Sequence, residues 1–349
     1  MRKDSQMQQG VSVVICTYNG RDKLAAAIQS VYSQQYTDDF RWELLIIDNA
    51  STDGSLEFCK ELISASNFAS LSRVVSEPQP GAAFARKRAL FESCCQWVLF
   101  VDDDNQLETD YLRKGWDIIR QNPDIGVLGG RSLPVFHGAE PSWFNKYAIS
   151  FAVGPQASNS GKLPFESGRK LYSAGSFFNK KALLQYFDKG YECIMVGPKG
   201  NDLTRGEDTE WCFMIELAGY SLWYSSDLLF YHHMPTGRLT WDYLERLKIG
   251  NASGVARFQA YAPYYANSQP GKSAFWKSYF LELMRLQVLD WKLRLLQKSD
   301  NSEVGLGKKI NRAKLDSYHR DMKLAYRQYK SLQKIIPEIR KIKLEQSMY

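Results

Sequence analysis

Short apolar runs alternate with helix-periodic segments through the first hundred residues of the chain. Residues 11–16 (VSVVIC) form an apolar run rich in β-branched side chains. Residues 21–34 follow with Leu24, Ile28, Val31 and Tyr32 at helical spacing. The pattern repeats as strand 42–48 (WELLIID), helix 53–64, strand 72–76 (SRVVS), helix 81–94 and strand 97–102 (WVLFVD). Such alternation predicts an α/β fold with right-handed crossovers and a mostly parallel sheet covered on both faces.

Beyond Gly130 the pattern loosens. Residues 134–170 are rich in Pro, Gly and Ser and carry Trp143, Phe144, Tyr147 and Phe151; they read as loops or a lid rather than core. Residues 171–187 suggest strand, turn and helix. Residues 206–219 (GEDTEWCFMIELAG) suggest a helix with acids in its first turn and Gly219 at its C-cap. Two short strands are expected at 220–226 and 228–233. After about Thr240 the chain reads as helical. Trp276, Phe280, Leu283, Leu286, Leu289, Leu293 and Leu296 form one stripe there, among Lys277, Arg285, Lys292 and Lys298. The expected division is a domain over 1–239 and a basic helical extension over 240–349.

With 349 residues, 44% of them hydrophobic, the chain can bury a substantial core, which excludes wholesale disorder. No apolar stretch approaches the ~18 residues a membrane span requires. The first ten residues hold no apolar region of a secretory signal. Six cysteines without CxxC spacing point to reduced thiols rather than disulfides or zinc. The net charge of +7 is concentrated after residue 270, and such asymmetry suggests an anionic partner for the tail.

Three strand ends carry polar clusters: TYNG at 17–20, DNASTDGS at 48–55 and DDDN at 102–105. Ligands of open α/β sheets sit beyond the carboxyl ends of the strands, so three clusters on one edge suggest a site. Asp102, Asp103 and Asp104 are hard oxygen donors suited to Mg²⁺ or Mn²⁺. Strand alternation would send Asp102 and Asp104 to one face and Asp103 to the other. An acidic turn capping a helix near Thr109 would account for them equally. Asp48 could accept from a base N–H or a ribose hydroxyl, with Asn49 and Ser51 shaping the turn; Asp53 reads as an N-cap. Gly81 permits close backbone approach, and Arg86 can pair with phosphate or lie on a solvated helix face with Lys87 and Arg88. Glu207 and Asp208 could be a general base with a supporting acid, or acids that favour the helix dipole. His232 and His233 end an apolar run, where one could ligate a metal.

These motifs, in this order, resemble those of the family 2 glycosyltransferases with the GT-A fold, from about Val11 to His233. The resemblance implies transfer of a sugar from a nucleoside-diphosphate sugar (UDP, GDP or dTDP type) to an acceptor hydroxyl, with inversion. It implies that Thr17, Tyr18 and Asp48 hold the nucleobase, that Arg86 lies near base or phosphate and that Asp102 meets the ribose. Asp104 and His232 would bind the Mn²⁺ or Mg²⁺ that bridges the diphosphate, and Asp208 would deprotonate the acceptor beside Glu207. Asn19, Asn49, Gly81 and Asp103 complete the expected substrate-binding set, with Ser176 in the sugar-site floor at 173–178. Lys87 departs from the family's usual Asn, which leaves nucleotide preference open. The Gln-x-x-Arg-Trp signature of polymerising members is missing, favouring single-sugar addition.

Other classes explain less. A sugar nucleotidyltransferase would bring a Gly-rich phosphate loop near its first strand, and CTYNGRDK is a poor one. No G-x-G-x-x-G follows that strand, which disfavours a dinucleotide oxidoreductase. The GKS at 271–273 lacks the first glycine of a P-loop. A nucleotide-sugar-binding protein without transferase activity would share the motifs, and donor hydrolysis with Mn²⁺ separates the two. The acidic site argues against a nucleic-acid partner. The expected setting is cytoplasmic, building capsule, O-antigen or exopolysaccharide on a glycan or lipid-linked acceptor. The basic helical tail would then lie on the anionic inner face of the membrane, pack on its own domain, or pair in a homodimer.

Overall fold

The computed structural model describes residues 7–165, 170–195, 197, 205–267, 269–296 and 302–346. The first half follows the expected alternation: β1 (Gln8–Thr17), α1 (Arg21–Tyr32), β2 (Arg41–Asp48), α2 (Ser55–Ser64), β3 (Ser72–Ser76), α3 (Ala82–Glu92) and β4 (Cys95–Asp102). Alternate β1 side chains serve opposite layers. Val11, Val13 and Ile15 pack with Leu24 and Ile28 of α1, while Val14 joins Ala85 and Leu90 of α3. Burial on both faces is why these strands are continuously apolar. The parallel register sets Thr17 beside Asp48 and Cys16 beside Asp102, so the three polar clusters reach one edge together.

The second half comprises β5 (Asn105–Leu107), α4 (Tyr111–Gln121), β6 (Ile125–Phe136), α5 (Phe144–Tyr147), β7 (Gly161–Lys162), β8 (Ser176–Asn179), α6 (Lys180–Asp188), α7 (Glu207–Leu217) and β9 (Ser221–Met234). Among the described residues the sheet order is β3-β2-β1-β4-β8-β6-β9-β5, with β7 also on β9. The sheet is parallel from β3 to β4 and mixed beyond, because β8 runs antiparallel to both β4 and β6.

Three expectations change here. The two short strands at 220–233 are one element, because β6 stays paired on either side of an excursion at residues 225–228. Strand β6 runs on through Pro134; β8 covers only Val127–Gly129, so Pro134 sits where that side of the ladder has ended. The aromatic stretch after it is not a loose lid. Phe144 and Phe151 are buried in a cluster with Met234, Leu244 and Leu306, and Trp143 and Tyr147 pack against it. The part of that stretch at 166–169 lies outside the described residues.

Helices α8 (Trp241–Ala252), α9 (Pro263–Ala266), α10 (Lys272–Arg294) and α11 (Glu303–Gln346) follow. Tyr318, Tyr329, Leu332 and Ile336 of α11 lie in the same core as Leu183, Tyr186 and Trp211 beneath the sheet. Arg340 Nε also donates to the Leu217 carbonyl at 2.9 Å. On α10 the packed face runs through Phe275, Tyr279 and Leu286, not through the whole expected stripe. Phe280, Leu281, Met284, Val288, Leu289, Trp291, Leu295 and Leu296 remain exposed. No helix among the described residues is long and apolar enough to cross a membrane. All six cysteines are free.

Candidate active site

Two adjoining cavities open at the carboxyl edge of β1, β2 and β4. The smaller, of about 300 Å³, is lined by Thr17, Tyr18, Asn49, Arg86, Asp102, Asp103, Asp104, His232 and Arg238. The larger, of about 750 Å³, is lined by Tyr172, Ser173, Ala174, Arg205, Glu207 and Asp208, and Arg86 and Asp102 belong to both. The wall they share contains Ser150, Ala152 and Leu247.

The loop after β1 is built around the aspartates. Thr17 Oγ1 donates to Asp103 Oδ2 at 2.8 Å, and Lys23 Nζ lies 3.8 Å from the same carboxylate. A Cβ on Gly20 would sit 2.2 Å from Asp103 Oδ2 and 2.3 Å from Thr17 Oγ1, so no side chain fits there. Tyr18 is 61% exposed at the cavity mouth. Asn19 is not a cavity residue: its Oδ1 accepts from Thr52 N at 2.8 Å and its own N–H donates to Ser51 Oγ at 3.0 Å, stapling two loops. Asp48 is buried at the end of β2, and its Oδ1 has no hydrogen-bond partner among the described residues. Asn49 holds the next turn, donating to the Gln79 carbonyl at 2.7 Å and accepting from Gly81 N at 2.8 Å. Gly81 supports the loop with φ 132°, a conformation only glycine adopts readily, rather than lining a cavity. Asp53 accepts from Ser55 N at 3.0 Å and Arg21 N at 3.1 Å, a structural role.

The three aspartates do not follow strand alternation. Strand β4 ends at Asp102, and the turn before β5 aims each carboxylate at a different partner. Asp102 Oδ1 lies 3.5 Å from Arg86 Nη2, and Asp103 faces Thr17. Asp104 faces His232 Nε2 at 3.5 Å and Arg238 Nη1 at 2.8 Å. The antiparallel pairing of Asn105 with His232 is what brings Asp104 and His232 together. His233 turns away to His137, 2.8 Å between ring nitrogens. Burial and the Asp104 charge push Asp103 up to about 6, against Lys23 and Thr17. Burial would also raise Asp104, but His232, Arg238 and Lys23 outweigh it and hold the carboxyl well below the usual range. Arg238 is the steady contributor. A guanidinium only donates, so at 3.1 Å from Arg238 Nη1 the neutral ring of His232 presents Nε2 as an acceptor, whereas a ring carrying its proton on Nε2 would turn it to Asp104 3.5 Å away. Among the described residues no three His, Cys, Asp or Glu side chains converge as a metal site.

Helix α7 begins at the larger cavity. Glu207 is committed to an ion pair with the nearly buried Arg86, and its Oε2 accepts from Gly206 N at 3.1 Å. Among the described residues Asp208 accepts only backbone N–H groups, from Thr209 at 2.7 Å and Ser173 at 3.3 Å, and it faces the cavity. Burial and the neighbouring Glu207 charge push Asp208 up to about 6, opposed by Arg86. Glu210 points inward, bonded to the backbone N–H groups of Ile194 and Met195, and anchors the helix. Of the floor expected at 173–178, Ser173 and Ala174 line the cavity and Ser176 does not. Ser176 is fully buried in β8 with its hydroxyl on the Tyr172 carbonyl at 2.7 Å, and Tyr172 joins Ser173 and Ala174 in the lining.

Arg205, Arg238 and Tyr243 also line the smaller cavity, and no sequence motif marks them. Arg238 lies six residues after His232, beside the expected domain boundary at 239.

A parallel β3-β2-β1-β4 half-sheet, extended by an antiparallel β8 and edged with carboxylates, defines a GT-A nucleotide-sugar transferase fold. The family model described as Glycosyl transferase family 2 matches residues 12–172, the stretch that carries β1 to β4 and their polar edge. The chain is 24% identical over 230 residues to the glycosyltransferase AglE of Haloferax volcanii, covering 66% of this chain and 69% of AglE. The glucosyl-dolichyl phosphate glucuronosyltransferase of the same organism is 25% identical over 240 residues, 67% of this chain and 72% of that one. Among solved structures, the mannosyltransferase PcManGT from Pyrobaculum calidifontis, in complex with GDP-Man and Mn²⁺, superposes with a TM-score of 0.54 at 14% identity. That match covers 90% of this chain and 87% of PcManGT.

Proposed function

We propose that this enzyme moves one sugar from a nucleoside-diphosphate sugar to an acceptor hydroxyl of a surface glycan, inverting the anomeric centre. The observation that carries the proposal is the junction of the two cavities at Arg86 and Asp102. One cavity offers the carboxylates of 102–104, and the other offers Asp208. On this reading Thr17, Tyr18 and the unpartnered oxygen of Asp48 receive the nucleobase, and Asp102 the ribose. Arg86 stands between nucleotide and sugar, positioned by Glu207. Asp208 takes the proton of the acceptor hydroxyl. A base that activates the acceptor directly gives a single displacement, and a single displacement inverts. Asp104 and His232 suit Mn²⁺ or Mg²⁺, since a carboxylate and an imidazole lone pair face one point, and such ions take few protein ligands when phosphates complete the shell. When bound, the ion would supply Lewis-acid neutralisation of the leaving diphosphate.

The test is a panel of UDP-, GDP- and dTDP-sugars with and without Mn²⁺. One donor should raise the melting temperature, because a bound ligand stabilises the folded state. The same donor should be consumed, and the product anomer, read by NMR, should be inverted. A panel in which nothing stabilises or is consumed refutes the enzyme reading; a retained anomer refutes the single displacement.

The exposed face of α10 supports an acceptor held at a lipid surface, as the name of the glucosyl-dolichyl phosphate relative suggests. Leu281, Met284, Val288, Trp291 and Leu295 recur at three- and four-residue spacing on the side turned from α11. Lys277, Arg285, Lys292 and Arg294 flank them. Arg285 is paired with Glu282 at 3.3 Å and Arg294 with Asp290 at 2.7 Å, and Lys277 and Lys292 beside them complement anionic headgroups.

A further inference from the structure

Arg238 sits where a cation is needed. It ends the short 3₁₀ turn Thr236–Arg238 that joins β9 to α8. Its Nη1 lies 2.8 Å from Asp104 Oδ2 and 3.1 Å from His232 Nε2. Asp104 and His232 are almost wholly buried, while the Arg238 side chain remains 29% exposed to the cavity. A carboxylate at that depth is costly without a positive partner. Because the guanidinium only donates, the imidazole presents its Nε2 lone pair to it, with the proton on Nδ1. Nδ1 is buried without a hydrogen-bond partner among the described residues, so nothing else sets that orientation. Two lone-pair donors, one anionic and one neutral, therefore converge on Arg238 as they would on a divalent ion.

We propose that Arg238 is an internal counter-cation that competes with the divalent ion for Asp104 and His232, and that a nucleoside diphosphate draws it off. A diphosphate gives the guanidinium a bidentate anionic partner in the same cavity. Metal and nucleotide binding are then coupled. The ion binds poorly alone, and the nucleotide strengthens its binding by the factor by which the ion strengthens the nucleotide's. The inference rests on reading Asp104 and His232 as the cation ligands. It adds that an arginine of the chain withholds them.

The experiment measures Mn²⁺ binding from the electron paramagnetic resonance signal of the free ion, with full-length protein and no donor turnover. Wild type should bind Mn²⁺ weakly alone and tightly with UDP or GDP. Arg238→Met should bind Mn²⁺ without nucleotide at least about tenfold more tightly than wild type, since a full positive charge leaves the site. Mn²⁺ alone should also raise the melting temperature of Arg238→Met and not that of wild type, and adding Asp104→Asn should abolish the gain. Arg238→Lys, which keeps the charge without the fork, should behave nearer to wild type. If nucleotide promotes Mn²⁺ binding in wild type but Arg238→Met gains nothing alone, the competition is refuted and the ligand assignment stands. If no protein binds Mn²⁺ under any condition, the ligand assignment falls and the competition with it.

Discussion

Asp208 and Glu207 are adjacent acids with unequal partners. Glu207 spends its charge on Arg86, whereas Asp208 accepts two backbone N–H groups and faces the cavity. General-base catalysis is worth ~10²–10⁴-fold, so Asp208→Asn should lower kcat by about that factor while sparing nucleotide affinity. Glu207→Gln should cost less and act through Arg86. The pH dependence has a definite sign. The base must be ionised, and Asp208 is pushed up to about 6, so kcat/KM should fall as pH drops below about 6. Glu207→Gln removes the like charge and should move that limb to lower pH. A pH–rate profile that leaves the limb unmoved rejects Asp208 as the titrating base. For stability the sign is opposite. A carboxyl raised in the folded state favours folding below its unfolded value, and that contribution is lost as pH rises through about 6. Asp208→Asn should therefore raise the melting temperature at pH 7, a cost the active site carries for its chemistry.

At the scale of elements, α10 has two faces with different duties. Phe275, Tyr279 and Leu286 pack on α11, where Tyr279 donates its hydroxyl to the Tyr318 carbonyl and Asn311 Nδ2 donates to the Leu286 carbonyl at 3.2 Å. Leu286→Ala should destabilise the protein by about 2–5 kcal/mol through lost contacts and a cavity. Met284→Glu and Trp291→Glu, on the exposed side, should stay within about 0.5 kcal/mol of wild type. Urea titrations of the three variants decide this. A large loss at Met284 or Trp291 would mean that the outer face is covered in solution.

For the whole molecule, the helical tail cannot be treated as an appendage. Helix α11 contributes to the core beneath the sheet, so truncation near Tyr264 would expose that core. The membrane proposal is therefore tested on the full chain. Flotation should carry wild type with anionic vesicles at low salt and not with neutral ones. Trp291→Glu with Met284→Glu should remain behind while keeping turnover on a soluble acceptor. Equal flotation of both proteins, or none, rejects the lipid surface. Loss of a dimer in sedimentation would assign the face to a second copy.

Alternation of apolar runs sufficed to read the α/β order and the edge where the polar clusters meet, because the buried strand and the amphipathic helix are local periodicities. The motifs at 17–20, 48–55, 102–105 and 207–208 were legible for the same reason: each is contiguous. What the periodicity could not supply was direction. A turn after Asp102 overrides pleat alternation, and only the pairing of β5 with β9 selects His232 over His233. Ser176 and Asn19 looked like site residues because they sit inside motifs; packing commits one to β8 and the other to a loop staple. Arg238 reaches Asp104 across 134 residues of chain, a contact no local pattern encodes. The sequence by itself determined which groups arrive at the sheet edge, whereas the tertiary structure decided which of them face each other. Charge pairing acts through space, and side-chain periodicity acts only along the chain.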